Sequence, residues 1–63
     1  MLRIEINKII YDIGYEHGIY FAKASTGSSP VGMTIEELSE GLSACTGVKK
    51  SDILKTLTDL LQL

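Results

Sequence analysis

Four side chains in the first third of the chain belong to the types that proton transfer uses. His17 follows Tyr15 and Glu16 directly, and Asp12 lies a few residues earlier. General acid–base catalysis needs such groups held in a pocket that tunes their pKa values. A short polar turn offers no pocket, so we interpret His17 as an exposed turn residue.

Cys45 is the other candidate reactive group. A single cysteine excludes an intramolecular disulfide, and one cysteine with one histidine cannot supply the four ligands of a structural zinc site. Cys45 continues the apolar stripe of a predicted helix, so we expect a small buried side chain and not a nucleophile. The sequence therefore predicts no catalytic site, no metal site, no cofactor and no small-molecule substrate.

Lys49, Lys50 and Lys55 are the candidates for contact with an anionic partner. Lys49 and Lys50 stand where a helix is predicted to begin, and there the backbone N–H groups and lysines can bind a phosphate together. The alternative is a solvated polar turn. The chain carries a net charge of -2, and the deficit lies in residues 34–63. A basic patch of the kind that supports strong nucleic-acid binding is therefore lacking.

The helix that precedes these lysines has a well-marked start. Thr34 and Glu37 form an S/T-x-x-E capping box, in which the two side chains bind otherwise unpaired backbone N–H groups. Met33 and Leu38 occupy the two positions of a hydrophobic staple. These signals predict a helix that begins at Thr34.

A second helix is predicted to begin between residues 49 and 51, after a stop at Gly47. Each helix has one apolar stripe, so the two are expected to pack on each other and form a helix-turn-helix over residues 34–63. The second stripe continues into a run of leucines at the end of the sequence. We interpret part of it as an oligomer interface, consisting of Leu57, Leu60, Leu61 and Leu63.

The first part of the chain is predicted to be a β-hairpin over residues 1–24. Apolar residues alternate with polar ones from Leu2 to Ile6, and Ile19–Ala24 has the composition of a second strand. The isoleucines from Ile6 onward also fit a helix over residues 5–16, which stays open as an alternative. With residues 25–33 as a loop, the chain is expected to be one α+β domain, residues 1–63, of order ββαα.

The interval from Glu37 to Leu57, ELSEGLSACTGVKKSDILKTL, resembles the opening helices of HU/IHF-type DNA-architectural proteins. The strand with Tyr20-Phe21-Ala22-Lys23 is similar to divergent members that carry an added N-terminal strand before the helices. The resemblance covers residues 19–61. In that family a β-sheet with long arms follows the helices and grips DNA, and the chain ends before such a segment. What the resemblance implies is the dimerising helical base of a DNA-associated protein.

From this resemblance we expect a non-enzymatic homodimer that makes weak, sequence-tolerant contacts with double-stranded DNA and that is nucleoid-associated if it binds DNA. The apolar runs are too short to cross a bilayer and the N-terminus has no signal-peptide pattern, so we expect a cytoplasmic chain that makes no contact with membranes. One alternative is a protein-interaction or assembly domain with the same fold, favoured by the terminal leucines and the acidic charge. The other is a winged-helix transcription-factor fragment. That fragment requires an additional helix where the hairpin is predicted.

Overall fold

An antiparallel four-stranded sheet precedes two helices in the computed structural model, which describes residues 2–25, 27 and 29–62. The sheet has the order β1-β2-β3-β4, so each strand lies beside its neighbour in the sequence. The predicted α+β class is confirmed, whereas the order ββαα is wrong because the sheet has two further strands. The elements are β1 (Leu2–Ile6), β2 (Ile9–Glu16), β3 (Ile19–Ala24), β4 (Val31–Gly32), α1 (Ile35–Thr46) and α2 (Lys50–Leu61).

Two tight turns connect the first three strands. Asn7 and Lys8 have φ values of 51° and 68°, and His17 and Gly18 have φ values of 54° and 78°. Two successive residues with positive φ between paired strands define a type I′ hairpin turn, whose twist matches that of the strands. The first turn divides the segment that was predicted as one strand. The alternative of a helix over residues 5–16 is wrong, since strands and this turn occupy the range.

The loop predicted over residues 25–33 contains β4, which pairs with β3 through Val31 and Gly32. The Ala22 N–H also donates to the Pro30 carbonyl oxygen at 3.0 Å. A Cβ atom built on Gly32 would lie 2.6 Å from the backbone nitrogen of Leu38. The absence of a side chain at Gly32 is therefore what lets β4 contact the first turn of α1.

The core lies between one face of the sheet and the two helices. Side chains at alternate positions of each strand point to the same face, and the buried strand residues follow this period of two. Five helix residues complete the core, and Tyr11 is its largest buried side chain. The buried apolar residues are Ile4, Ile6, Tyr11, Ile13, Ala22, Ala24, Ile35, Leu38, Leu42, Ile53 and Leu57.

The start of α1 confirms the capping prediction. The Glu37 N–H donates to Thr34 Oγ1 at 3.1 Å, while Glu37 Oε1 accepts from the N–H of Met33 at 3.2 Å. The carboxylate thus binds the residue before the N-cap. The predicted hydrophobic staple, in which Met33 packs against Leu38, is wrong because the Met33 side chain is 71% exposed.

The two helix ends that follow are both closed by left-handed residues. Gly47 has φ 78° and its N–H donates to the Ser43 carbonyl oxygen at 2.9 Å, so the predicted stop is confirmed. At the end of α2, Gln62 adopts φ 58° and its N–H donates to the Thr58 carbonyl oxygen. Within the described ranges, neither helix is long and apolar enough to cross a membrane.

Candidate functional site

The turn between β1 and β2 lies against the turn between α1 and α2. Asn7 Nδ2 donates to the Thr46 carbonyl oxygen at 3.1 Å, which joins the end of β1 to the C-terminus of α1. Lys8 follows Asn7, while Lys49 lies three residues beyond Thr46. Both lysines are exposed, so this end of the molecule presents cations from two separate segments. Lys8 was not among the predicted site residues.

Lys49 is the N-cap of α2 and makes no side-chain capping hydrogen bond. Its carbonyl oxygen accepts from the N–H groups of Asp52 and Ile53, at 3.1 Å each. Lys50 is half-buried, and Lys55 lies further along the helix, where it is exposed. The structure thus places Lys49 and Lys50 at the helix N-terminus as predicted and places Lys55 apart from them. We call Lys8, Lys49 and Lys50 together the basic end.

A shallow cleft of about 220 Å³ lies beside the basic end, between the end of β1 and the first turns of α2. The residues that line it include the acidic Glu5 and Asp52 and the apolar Ile6, Val48 and Ile53. The two carboxylates offset part of the lysine charge. An anion bound here would be attracted weakly, and its binding would be sensitive to salt.

Acidic residues gather at the opposite end of the molecule. Glu16 ends β2 beside the second hairpin turn, and Glu36 and Glu37 lie in the first turn of α1. The pairing of Tyr20 with Gly32 brings these two segments to the same end of the sheet. The net charge of -2 is therefore distributed unevenly, with lysines enriched at one end and carboxylates at the other.

Only part of the predicted oligomer interface has free surface. Leu57 is 0% exposed because it packs in the core, so it offers no side chain to a second subunit and its assignment to an interface is wrong. Leu60 and Leu61 are half-buried and pack against the edge of the core. Leu63 lies outside the described residues.

The structure separates the two predictions for reactive side chains. His17 is exposed in its turn, 3.8 Å from the Glu16 carboxylate through Nδ1, and it lies outside both the cleft beside the basic end and the cleft between Arg3 and Ser25. The prediction that Cys45 is buried is wrong, because its thiol is exposed. Thr46 is the buried residue at this end of α1 instead. Its hydroxyl donates to the Leu42 carbonyl oxygen at 2.7 Å, so the buried polar group has a hydrogen-bond partner.

Tyr11 is the one buried titratable side chain among the described residues, with 1% of its surface exposed. Burial raises its pKa, because the phenolate would lose its hydration, and the nearby Cys45 thiolate raises the pKa further. A phenol whose pKa is raised is a poor base near neutral pH. Tyr11 is therefore a core residue whose ring joins the sheet to the helices.

Among the described residues, no group of three or more histidine, cysteine, aspartate or glutamate side chains is arranged to hold a metal ion. No protein-family model, curated protein or solved structure matches this sequence. Its function is therefore argued from its own residues.

Proposed function

We propose that this chain is a non-enzymatic, DNA-associated module of the HU/IHF-like kind, which dimerises through its helices and makes weak, sequence-tolerant contacts with double-stranded DNA. The observation that carries the proposal is the basic end. Lysines from two turns lie at the same end of the molecule, because the Asn7 hydrogen bond joins the β1–β2 turn to the turn that precedes α2. Lysines beside a helix N-terminus suit a phosphate group.

The charge balance supports weak binding and not strong binding. Phosphate neutralisation supplies most of the affinity of non-specific complexes, and three lysines offset by Glu5 and Asp52 allow only a few phosphate contacts. Lys55 adds a fourth cation on the exposed face of α2. The two-helix unit also supports the proposed family. The resemblance is based on residues 37–57, in which a short turn containing Val48 separates two helices, and α1 and α2 have this arrangement.

Dimerisation through the helices is assigned to the half-buried leucines of α2. Leu54, Leu60 and Leu61 pack only partly against the core, beside the buried residues Ile53 and Leu57. Leu61→Asn is expected to weaken this association with little loss of folding, because the residue is half-buried. Sedimentation equilibrium of the two proteins gives the comparison.

The experiment that tests DNA binding is a salt titration with a fluorescent duplex, comparing Lys49→Gln with Lys23→Gln. Both lysines are exposed, and each change removes one charge, but Lys23 lies on the sheet and away from the basic end. We expect Lys49→Gln to weaken binding and to reduce the salt slope by about one, while Lys23→Gln leaves it nearly unchanged. If the electrophoretic mobility of the same duplex is unchanged at high protein concentration and low salt, the proposal is refuted.

A second candidate is an assembly domain with the same fold, and the outer face of the sheet favours it. Ile10, Ile19 and Val31 are 45%, 41% and 58% exposed there, and no element of the described chain covers them. Scattered surface apolar residues are common, but several on one sheet face suit a protein partner. A chain that stays monomeric at high concentration and binds no apolar dye would rule out this candidate.

A further inference from the structure

The edge of the sheet at β1 has free hydrogen-bonding groups. Among the described residues, β1 is the first strand in the sheet order and pairs only with β2. The two-residue turn is closed by the pair Ile6 and Ile9, and the groups that bond to β2 then recur at every second residue. Leu2, Ile4 and Ile6 therefore bond inward, and Arg3 and Glu5 direct their N–H and C=O groups away from the sheet.

Within the described residues, this edge lacks two features with which proteins often block strand addition, a proline and a bulge. β1 also keeps a strict alternation of apolar and charged residues over Leu2–Ile6. Leu2 is 39% exposed at its start. At its end, the cleft of about 220 Å³ lies between Ile6 and the first turns of α2. A strand added here would place its inner side chains over that cleft.

The residues of β1 are complementary to themselves. We propose that β1 pairs antiparallel with β1 of a second copy of this chain, about a two-fold axis at Ile4. In this register Arg3 faces the partner's Glu5, and Glu5 faces the partner's Arg3. The outward backbone groups of these residues form four hydrogen bonds, while Leu2, Ile4 and Ile6 of both copies line one face.

The charges select this register over its neighbours. A shift by two residues in either direction pairs Arg3 with the partner's Arg3 or Glu5 with the partner's Glu5, and like charges directly opposite each other are unfavourable. Parallel in-register pairing has the same defect. A shift by one residue puts charged side chains on the core face. The proposed register is thus the one that keeps both the charges and the faces matched.

The same pairing extends a row of alternating charge that already crosses the sheet. Lys23 pairs with Asp12, and Asp12 pairs with Arg3, whose Nε donates to Asp12 Oδ1 at 3.0 Å. The partner's Glu5 continues the series across the junction. The result is a continuous eight-stranded sheet with the helices of both copies on one face. A second copy is therefore the occupant that fits the charges of this edge.

Sedimentation over a concentration series tests the pairing with Glu5→Arg. The change places an arginine side chain opposite the partner's Arg3, whereas inside the chain the same position pairs with the neutral Ile10. We expect the dissociation constant to rise at least about tenfold, because two cross-strand pairs change from attraction to repulsion. The double variant Arg3→Glu with Glu5→Arg restores opposite charges and is expected to recover most of the association.

Glu5→Pro tests the backbone part of the proposal. Its missing N–H is one that faces outward, so the bonds to β2 are kept, and proline is tolerated on edge strands in this orientation. We expect a folded chain by circular dichroism that no longer pairs through β1. The amides of Arg3 and Glu5 in the unmodified protein are expected to exchange more slowly as the concentration rises.

These outcomes are distinguishable from association through α2. A chain with two separate two-fold interfaces forms species larger than a dimer. Leu61→Asn removes the helix interface and leaves a dimer joined by β1. Glu5→Arg removes the β1 interface and leaves a dimer joined by the helices. If Glu5→Arg and Glu5→Pro associate as the unmodified chain does, or if the amides of Arg3 and Glu5 exchange at a rate independent of concentration, the pairing of β1 is refuted. DNA binding is measured separately and does not enter this result.

Discussion

Gly32 and Gly14 are both strand glycines, but they face different neighbours. A Cβ on Gly32 would lie 2.6 Å from the Leu38 backbone nitrogen, and one on Gly14 would lie 2.3 Å from Cζ of Phe21. A helix backbone cannot move without displacing the whole of α1, whereas the half-buried Phe21 ring can turn toward solvent. We expect Gly32→Ala to cost about 3 kcal/mol of unfolding free energy and Gly14→Ala about 1 kcal/mol, measured by urea denaturation. Equal losses would contradict this account.

Tyr11 gives the fold a dependence on alkaline pH. Its pKa is raised from the ordinary value of 10.0, by burial first and by the Cys45 thiolate second. The unfolded chain therefore loses this proton at lower pH than the folded chain does. The stability that neutral Tyr11 contributes is complete below about pH 10 and is lost as the pH rises through the folded pKa. Urea unfolding above pH 10 is expected to show a smaller decline for Tyr11→Phe than for the unmodified protein, and Tyr15→Phe is the control on the same strand.

At the scale of the elements, α1 depends on its N-cap. The Thr34 hydroxyl accepts the Glu37 N–H at 3.1 Å, and Met33, being exposed, adds little packing to this end. Thr34→Ala is expected to lower the unfolding free energy by about 1 kcal/mol, or the melting temperature by roughly 4–8 °C. Thr56→Ala removes a hydroxyl that donates to the Asp52 carbonyl oxygen in the middle of exposed α2 and is expected to change stability by less than about 0.5 kcal/mol.

The helices were predictable from the sequence because their boundaries are set by local chemistry. Thr34 and Gly47 each satisfy backbone groups within one turn, so no distant residue is needed to place them. The first hairpin turn was missed because Asn7 and Lys8 lack the glycine that usually marks such turns. The sequence signal for this turn was a change of phase, since the buried residues have even numbers in β1 and odd numbers in β2. β4 has two residues and exists only through its contacts with β3 and α1.

The candidate site was only partly predictable for a related reason. Lys49 and Lys50 follow from the helix start, but Lys8 joins them only because Asn7 reaches Thr46, which is 39 residues away. Burial of Cys45 was predicted from periodicity alone. An α-helix turns about 100° per residue, so position 46 lies about 20° from the direction of Ile35, whereas position 45 lies about 80° from it. Thr46 therefore takes the inner position, and its hydroxyl is satisfied by its own helix.

On the scale of the whole molecule, the sheet and the helices are held together mainly by apolar contact. Across the described residues, the bond from Asn7 Nδ2 to the Thr46 carbonyl oxygen is the single side-chain hydrogen bond between the two layers. Asn7→Asp keeps the size and the tolerance of positive φ but loses the donor. We expect a loss of about 1 kcal/mol in urea unfolding. Lys8→Gln, which changes the charge of the same turn by the same amount, is the control and is expected to be nearly neutral.

The order of the strands in the sheet is also their order along the chain, and α1 and α2 are joined by a turn of three residues. Each of these neighbours can therefore meet by closing a short loop, which costs little chain entropy. The distant closure among the described residues is the docking of the helix pair on the sheet, to which the bond from Asn7 to Thr46 contributes. Refolding from urea is thus expected to be fast, on the order of milliseconds or less, with docking of the helices on the sheet as the step that sets the rate.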